Sequence, residues 1–230
     1  MLIGPQNLAF HVNHVRSRIR QAALSAGRDP ASVTLVAVSK AKPAESVRDV
    51  ATAGVTDFGE NYLQEALAKQ SVLADLPLHW HFIGGLQSNK TRSVAEHFEW
   101  VHSIDRFSIA RRLSEQRPFH APSLNVCIQV ALVDEAAKGG VSRCALAELA
   151  HAVAELPRLK LRGLMCLPPA LPEESAQRAM FARLRRHLEE LNAQGLGLDT
   201  LSMGMSADFE AAIAEGATHV RIGTALFGSR

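Results

Sequence analysis

A lysine follows the first strongly apolar stretch of the chain and could act as a nucleophile. Residues 33–39 have the pattern of a buried strand, Lys40 comes next, and Pro43 suits the start of the following helix. A lysine at this place lies at the positive end of the helix dipole, which disfavours its charged form. The neutral amine can attack a carbonyl carbon and form a Schiff base. The alternative for Lys40 is a solvated lysine in a loop.

Two later segments have the composition of a phosphate site. Ser206 begins a short predicted helix, whose free backbone N–H groups attract an anion. Gly223 and Thr224 offer further backbone N–H groups and one hydroxyl. Each feature alone also fits a plain helix cap or a simple turn. Together, a Schiff-base lysine and a phosphate site predict either pyridoxal 5′-phosphate (PLP) as a cofactor or a class I aldolase acting on a sugar phosphate.

Arg221 helps to choose between these chemistries. PLP enzymes place either an acid or an arginine at the ring nitrogen. Arginine keeps its proton, so it would leave the pyridine nitrogen unprotonated and weaken the ring as an electron sink. Racemisation or simple carriage of the cofactor would then fit better than transamination or decarboxylation. The structural alternative for Arg221 is an ion pair with a barrel carboxylate such as Glu60. If Glu60 does not form this pair, we expect it to be an ionised carboxylate at the rim of the barrel.

Alternating strand and helix patterns must bring these residues together. Eight segments of strand length occur, and each but the last is followed by a helical pattern. The predicted strands are about 33–39, 56–59, 79–83, 100–104, 124–132, 159–166, 198–203 and 218–222. Eight such units predict an α/β fold, a (β/α)8 TIM-type barrel preceded by an N-terminal helix, whereas six or seven would indicate an open doubly wound sheet. Residues 1–230 are predicted to form a single domain, whose active face lies at the carboxyl ends of the strands.

Composition limits the class of function and the compartment. The net charge of +2 gives no sign of a nucleic-acid partner, and no apolar run approaches membrane-spanning length. Three cysteines without a C-x-x-C pair argue against a disulfide framework or a zinc site and indicate a cytoplasmic protein. Residues 1–28 contain four arginines and no acidic residue, a composition that also fits a transit peptide. We prefer to interpret them as a first helix packed on the barrel.

Three other groups of residues could do chemistry or bind partners, but we expect them to be structural. His79 and His81 share one face of predicted strand three, but no acid or cysteine follows at ligand spacing, so core or rim histidines are preferred over a metal site. Cys166 is predicted to be a small buried residue. The arginine-rich segment 183–186 fits the solvated face of a long helix, with a docking surface for partner proteins as the alternative.

Six segments, in order and at barrel spacing, resemble one known family. They are VAVSKAKP (36–43), FGENYLQEA (58–66), WHFIGGLQSNK (80–90), LRGLMCLP (161–168), SMGMSADFEAAI (202–213) and VRIGTALFG (220–228). On these motifs the chain resembles the pyridoxal phosphate homeostasis proteins, single-barrel relatives of the N-terminal domain of alanine racemase. Two positions depart from the family pattern: Gly85 stands where a proline is expected, and Ala131 stands near an expected asparagine.

The resemblance implies that PLP is held as a Schiff base on Lys40, with Arg221 at the pyridine nitrogen. Two further sets of residues are implied to contact the cofactor: Ser206, Gly223 and Thr224 at the phosphate, and Asn61 and Met203 at the ring. The implied role is to bind PLP, to buffer the free aldehyde and to pass the cofactor to PLP-dependent apoenzymes. No established catalytic reaction is implied.

The same residues are compatible with three other functions. An amino-acid racemase using Lys40 as base would need a second base on the opposite face of the substrate, and Tyr62 is the single tyrosine. A Schiff-base aldolase would use Lys40 without a bound cofactor. A scaffold for partner proteins would keep the cofactor only for stability. We expect a monomer rather than a dimer.

Overall fold

The computed structural model describes residues 5–133 and 139–228. Eight parallel strands pair in chain order, and β8 pairs with β1, which closes the predicted barrel. The strands are β1 (Thr34–Val38), β2 (Asp57–Glu60), β3 (His79–Phe82), β4 (Trp100–Ile104), β5 (Leu124–Gln129), β6 (Leu159–Met165), β7 (Thr200–Ser202) and β8 (His219–Ile222).

Helices surround the barrel and follow the strands. They are α1 (Pro5–Ser25), α2 (Ala44–Thr52), α3 (Leu63–Val72), α4 (Thr91–His97), α5 (Phe107–Gln116), α6 (Arg143–Ala154), α7 (Glu174–Asn192), α8 (Phe209–Ala214) and α9 (Thr224–Phe227). The four-residue helix α9 was not predicted, because it follows β8 within a single turn. None of the helices in the described ranges combines the length and the apolarity needed to cross a membrane.

The first helix packs against the barrel, as predicted. Its stripe of Leu8, Val12, Val15 and Ile19 is buried. At its flank, Nε of Arg18 donates to Oε1 of Glu210 on α8 over 2.7 Å. Burial of a continuous apolar stripe is the usual way in which an amphipathic helix is stabilised. The packing interpretation of this segment is therefore confirmed for the described residues.

The βα turn after β1 is built largely as expected. Val36 and Ala37 are fully buried, as the β-branched and apolar run predicts. Pro43, predicted as the first helical residue, is instead the N-cap of α2, one position before the first helical residue Ala44. Gly54 follows the C-cap with φ of 90°, the left-handed conformation that ends many helices at glycine.

Several predicted details of the elements are wrong. Asp105, a residue type that favours the N-cap position, does not cap α5; the N-cap is Arg106, and the Asp105 carboxylate accepts hydrogen bonds from the Arg106 guanidinium. Ser206 does not cap α8, whose N-cap is Asp208. Strand β5 ends earlier than predicted, at Gln129, and Val130 forms only an isolated bridge. Residues 134–138, in the polar segment that follows predicted strand five, lie outside the described residues.

Candidate functional site at the carboxyl end of the barrel

Lys40 lies in a tight turn that directly follows β1. The backbone N–H of Lys42 donates to the carbonyl of Ser39 over 3.0 Å, which closes the turn. Between them Ala41 has φ of 59°, a left-handed conformation that costs a residue with a Cβ about 1 kcal/mol. The backbone N–H of Ala41 donates to Oε1 of Glu65 on α3 over 2.5 Å. The turn that presents Lys40 is therefore held by a side chain from the next helix.

A buried lysine lies beneath this turn. Nζ of Lys69 donates to the carbonyl of Ser39 over 2.7 Å, and to Oε1 of both Glu60 and Glu65 over 2.6 Å. Ser39 adds a hydroxyl bond to Oε1 of Glu60 over 2.7 Å. Burial raises the pKa of Glu60, although the hydrogen bond and the charge of Lys69 oppose that shift. We call Lys69, Glu60 and Glu65 the lysine clamp, because together they fix the turn from the outer side of the barrel.

The lysine clamp corrects two predictions and adds two residues. Glu60 is fully buried and is not a carboxylate of the rim. Its oxygen binds Lys69, so it does not form the ion pair with Arg221 that was considered as an alternative. Lys69 and Glu65 were missed from the sequence. Their i,i+4 spacing on α3 was the available signal, but such pairs are usually exposed and structural.

A cavity of about 330 Å³ opens at the carboxyl ends of the strands. It is lined by Val38, Lys40, Asn61, Ile83, Leu167, Met205, Ser206, Ala207, Arg221, Gly223 and Thr224. Six of the seven predicted site residues are therefore brought together around one space. The seventh, Met203, is fully buried and is not among the lining residues, whereas Met205 is. Gly85, the departure from the family pattern, is exposed and lines none of it.

Arg221 brings a buried cation to this cavity. Its side chain is only 3% exposed. Nη1 donates to Oγ of Ser202 over 2.7 Å, and Nη2 donates to the carbonyl of Cys166 over 2.8 Å. Burial lowers the pKa of Arg221, which nevertheless remains a cation because an arginine does not deprotonate in proteins. In the described part of the chain no carboxylate forms an ion pair with it. The guanidinium is thus able to donate to an acceptor in the cavity.

The loops after β7 and β8 meet at one side of the cavity. Oγ of Ser206 accepts a hydrogen bond from the backbone N–H of Ala225 over 3.2 Å, which ties the two loops together. Within the described ranges, the backbone N–H groups of Ala207 and Gly223 donate to no protein acceptor. Gly204 makes the close approach of the first loop to α8 possible, with φ of 93°. These loops offer N–H and hydroxyl donors of the kind that bind phosphate.

Asn61 contributes an unsatisfied acceptor. Its Oδ1 is buried and has no hydrogen-bond partner in the structure. Gly84 packs directly against the backbone of Asn61, and a Cβ at that position would collide with the Asn61 carbonyl. A buried acceptor without a donor costs about 1–3 kcal/mol. Such an atom on the wall of a cavity fits a place where a ligand supplies the missing donor.

The histidines of β3 and Cys166, considered as possible metal or thiol chemistry, have structural surroundings in the described part of the chain. His81 is fully buried, whereas His79 is exposed, and both approach Oδ1 of Asp57. No group of three metal-ligating side chains is found among the described residues. Cys166 is fully buried, as predicted, and burial raises its pKa to about 12.

Comparison with known proteins places the chain in a family. The family described as alanine racemase, N-terminal domain, matches residues 10–230. The chain is 64% identical over 223 residues to the pyridoxal phosphate homeostasis protein of Pseudomonas aeruginosa, covering 97% of this chain and 96% of that protein. It is 50% identical over 227 residues to the protein of the same name from Escherichia coli K12, covering 97% of each.

A solved structure shows the same architecture. PipY of Synechococcus elongatus PCC7942, determined with PLP bound, superposes with a TM-score of 0.85 at 40% identity, covering 96% of this chain and all of that chain (100%). The resemblance seen in the six motifs is thereby confirmed. This chain belongs to the alanine racemase N-terminal domain family and, within it, to the pyridoxal phosphate homeostasis proteins.

Proposed function

We propose that this chain binds PLP in the cavity at the carboxyl end of the barrel, holds it covalently through Nζ of Lys40, and acts as a single-domain carrier and buffer of the cofactor. The observation that carries this proposal is the convergence of Lys40, Arg221 and the loops after β7 and β8 on one cavity. PLP supplies an aldehyde that condenses with a primary amine and releases water, so a lysine can hold it reversibly.

The residues around the cavity fit this cofactor. A volume of about 330 Å³ lies in the range of small-molecule sites. Arg221 would donate to the pyridine nitrogen, and the unsatisfied Oδ1 of Asn61 would accept from a donor on the ring side. The free N–H groups of Ala207 and Gly223, with the hydroxyls of Ser206 and Thr224, would bind the phosphate.

The relatives support the cofactor and the role. Two of them are named for pyridoxal phosphate homeostasis, and PipY was solved with PLP bound. Delivery of PLP to apoenzymes by a cytoplasmic monomer is the finer part of the proposal. The reversibility of the lysine bond supports the delivery, and three unpaired cysteines fit a reducing compartment such as the cytoplasm.

The lining of the cavity favours carriage over catalysis. Among the described lining residues, the ionisable side chains are Lys40 and Arg221, and arginine does not take part in proton transfer. A racemase needs two proton-transfer groups on opposite faces of the substrate. Tyr62, the candidate for the second group, is 58% exposed and does not line the cavity.

Reduction by borohydride tests this function. We expect the purified chain incubated with PLP to show a visible absorption band that borohydride bleaches, with the pyridoxyl mass on the peptide containing Lys40. Lys40→Ala should abolish the adduct. Lys42→Ala is the matched control, because Nζ of Lys42 contacts the carbonyl of Phe227 over 3.1 Å and lies outside the cavity lining. A wild type without the band would overturn the proposal, and L- to D-amino acid conversion lost in Lys40→Ala would favour a racemase.

A further inference from the structure

Five polar side chains form a continuous row through the barrel interior. Nε2 of His81 lies 3.0 Å from Oδ1 of Asp57, and Nδ1 of His81 lies 2.9 Å from Nε2 of His102. Nδ1 of His102 lies 2.7 Å from Oγ of Ser202, to which Nη1 of Arg221 donates over 2.7 Å. We call this row, Asp57–His81–His102–Ser202–Arg221, the barrel-core chain.

The barrel-core chain joins two opposite charges that have no direct contact. Arg221 lies at the cavity, and Asp57 is the first residue of β2, at the opposite end of the barrel. Asp208 acts on Arg221 only at longer range. A buried cation is costly unless hydrogen bonds and a counter-charge compensate it. The carboxylate of Asp57 is the counter-charge that hydrogen bonds of the barrel-core chain connect to Arg221.

Burial favours the neutral forms of the two imidazoles between these charges. His81 and His102 are fully buried, and desolvation disfavours their charged forms, so burial lowers the pKa of both. Burial alone would raise the pKa of Asp57, but hydrogen bonds from His81 and Thr56 outweigh that effect and lower it. The other ionisable groups that act on the row are His79, Glu99, Cys127, Cys166, Asp208 and His219.

The two ends fix the direction of every hydrogen bond. The carboxylate of Asp57 only accepts, so Nε2 of His81 carries the proton and its Nδ1 accepts. His102 must then donate from Nε2 to His81, which leaves Nδ1 of His102 as an acceptor. Ser202 donates its hydroxyl proton to His102 and accepts from Arg221. The opposite direction would place an unprotonated Nε2 of His81 against a carboxylate oxygen.

We propose that the barrel-core chain is a single directional relay of hydrogen bonds through which the carboxylate of Asp57 supplies the counter-charge of Arg221. The relay fixes Nη1 of the guanidinium on Ser202, Nη2 also binds the Cys166 carbonyl, and the remaining N–H donors of Arg221 stay available to the cavity. His81, His102 and Ser202 are positioning residues, since they act on a ligand only through Arg221. The effect on a bound cofactor rests on the proposed function, whereas the tautomers do not.

The tautomers are tested on the full chain without any ligand. Long-range proton–nitrogen NMR of ¹⁵N-labelled protein at pH 7 should show both His81 and His102 protonated at Nε2 and unprotonated at Nδ1. Ser202→Ala should alter the His102 signals and leave the His81 tautomer in place. An Nδ1-protonated His102, or an imidazolium at either residue, would overturn the relay whether or not the protein binds PLP.

The effect on the cavity is tested with PLP. Ser202→Ala breaks the relay beside Arg221, and Asp57→Asn removes its remote charge. We expect the first to weaken PLP affinity roughly tenfold, the effect of losing a hydrogen bond to a charged group. Both should lower the pH midpoint of the absorption change of the bound cofactor, because each leaves a more positive potential at the site.

A buried serine elsewhere is the matched control. Ser114 is 2% exposed and donates to the carbonyl of Pro157 over 2.5 Å, on α5 and away from the cavity lining. Ser114→Ala should leave the midpoint and the affinity unchanged. An equal midpoint in wild type and Asp57→Asn would overturn the relay. A wild type that binds no PLP would instead defeat the proposed function, and the tautomers alone would then decide the relay.

Discussion

The carboxylate of Glu65 holds the backbone of Ala41, with Oε1 2.5 Å from the amide nitrogen. Ala41 directly follows Lys40 and has a positive φ of 59°. Unfavourable backbone conformations persist at functional sites when the surrounding structure compensates for them. Here the compensation comes from α3, whose Glu65 also binds Lys69. The orientation of Lys40 therefore depends on a side chain 25 positions later in the chain (65 against 40 in the numbering).

Replacement of Lys69 by methionine should destabilise the fold and weaken cofactor binding. The change leaves the carboxylates of Glu60 and Glu65 without their shared cation, and Glu60 is fully buried. Removal of one partner from a buried ion pair costs roughly 3–5 kcal/mol. Urea unfolding measures the loss, and titration with PLP measures the accompanying loosening of the Lys40 turn. Lys160→Met is the control, because Lys160 is exposed on β6. A free energy of unfolding equal to that of wild type would contradict the lysine clamp.

The sequence predicted the barrel and most of the cavity for a shared physical reason. Parallel strands end at one face, so polar residues after successive strand patterns, such as Lys40 and Ser206, must converge there. The lysine clamp could not be predicted in this way. Lys69 follows Glu65 at i,i+4, which indicates a solvated pair, and only the packing of α3 over Ser39 buries it. Met203 and Met205 both lie in the loop after β7, and the exact course of the backbone decides which one lines the cavity.

Asn61→Leu should separate stability from binding. The unsatisfied Oδ1 of Asn61 destabilises the empty protein, so an apolar side chain of similar size should raise the free energy of unfolding by about 1 kcal/mol. The same change should weaken PLP binding, because the acceptor is lost. Gln116→Leu is the matched control: its Oε1 is also buried without a partner, but it lies on α5 and outside the cavity lining. If Asn61→Leu left PLP affinity unchanged, Asn61 would not contact the cofactor.

Gly204→Ala should destabilise the loop that carries Ser206. The substitution places a Cβ 2.7 Å from Cβ of Ala212, at a residue whose φ is 93°. Backbone strain and the collision with α8 should together cost about 2–4 kcal/mol, measured by urea unfolding. Gly195→Ala separates the two effects, since Gly195 has φ of 91° and no neighbour within 4 Å of the added Cβ. Equal losses in both variants would show that the approach of this loop to α8 contributes nothing.

The buried imidazoles should make the protein sensitive to mild acid. Burial lowers the pKa of His219 to about 3, and it also lowers the pKa values of His81 and His102. In the unfolded chain these groups titrate near pH 6.5, so between about pH 6.5 and pH 3 the unfolded state binds more protons. Stability is therefore fully present above pH 6.5 and decreases as the pH falls, by up to about 1.4 kcal/mol per pH unit for each histidine.

His219→Gln measures the share of one histidine in this slope. The free energy of urea unfolding should fall less steeply between pH 7.5 and pH 5 in the variant, because unfolding of the variant takes up as much as one proton fewer. His120→Gln is the control for the loss of a histidine, because His120 is exposed. Parallel slopes for His219→Gln and wild type would mean that His219 binds a proton as readily in the folded barrel as in the unfolded chain. Burial of its ring against Trp100, at 4.8 Å between centroids, argues for the steeper slope of the wild type.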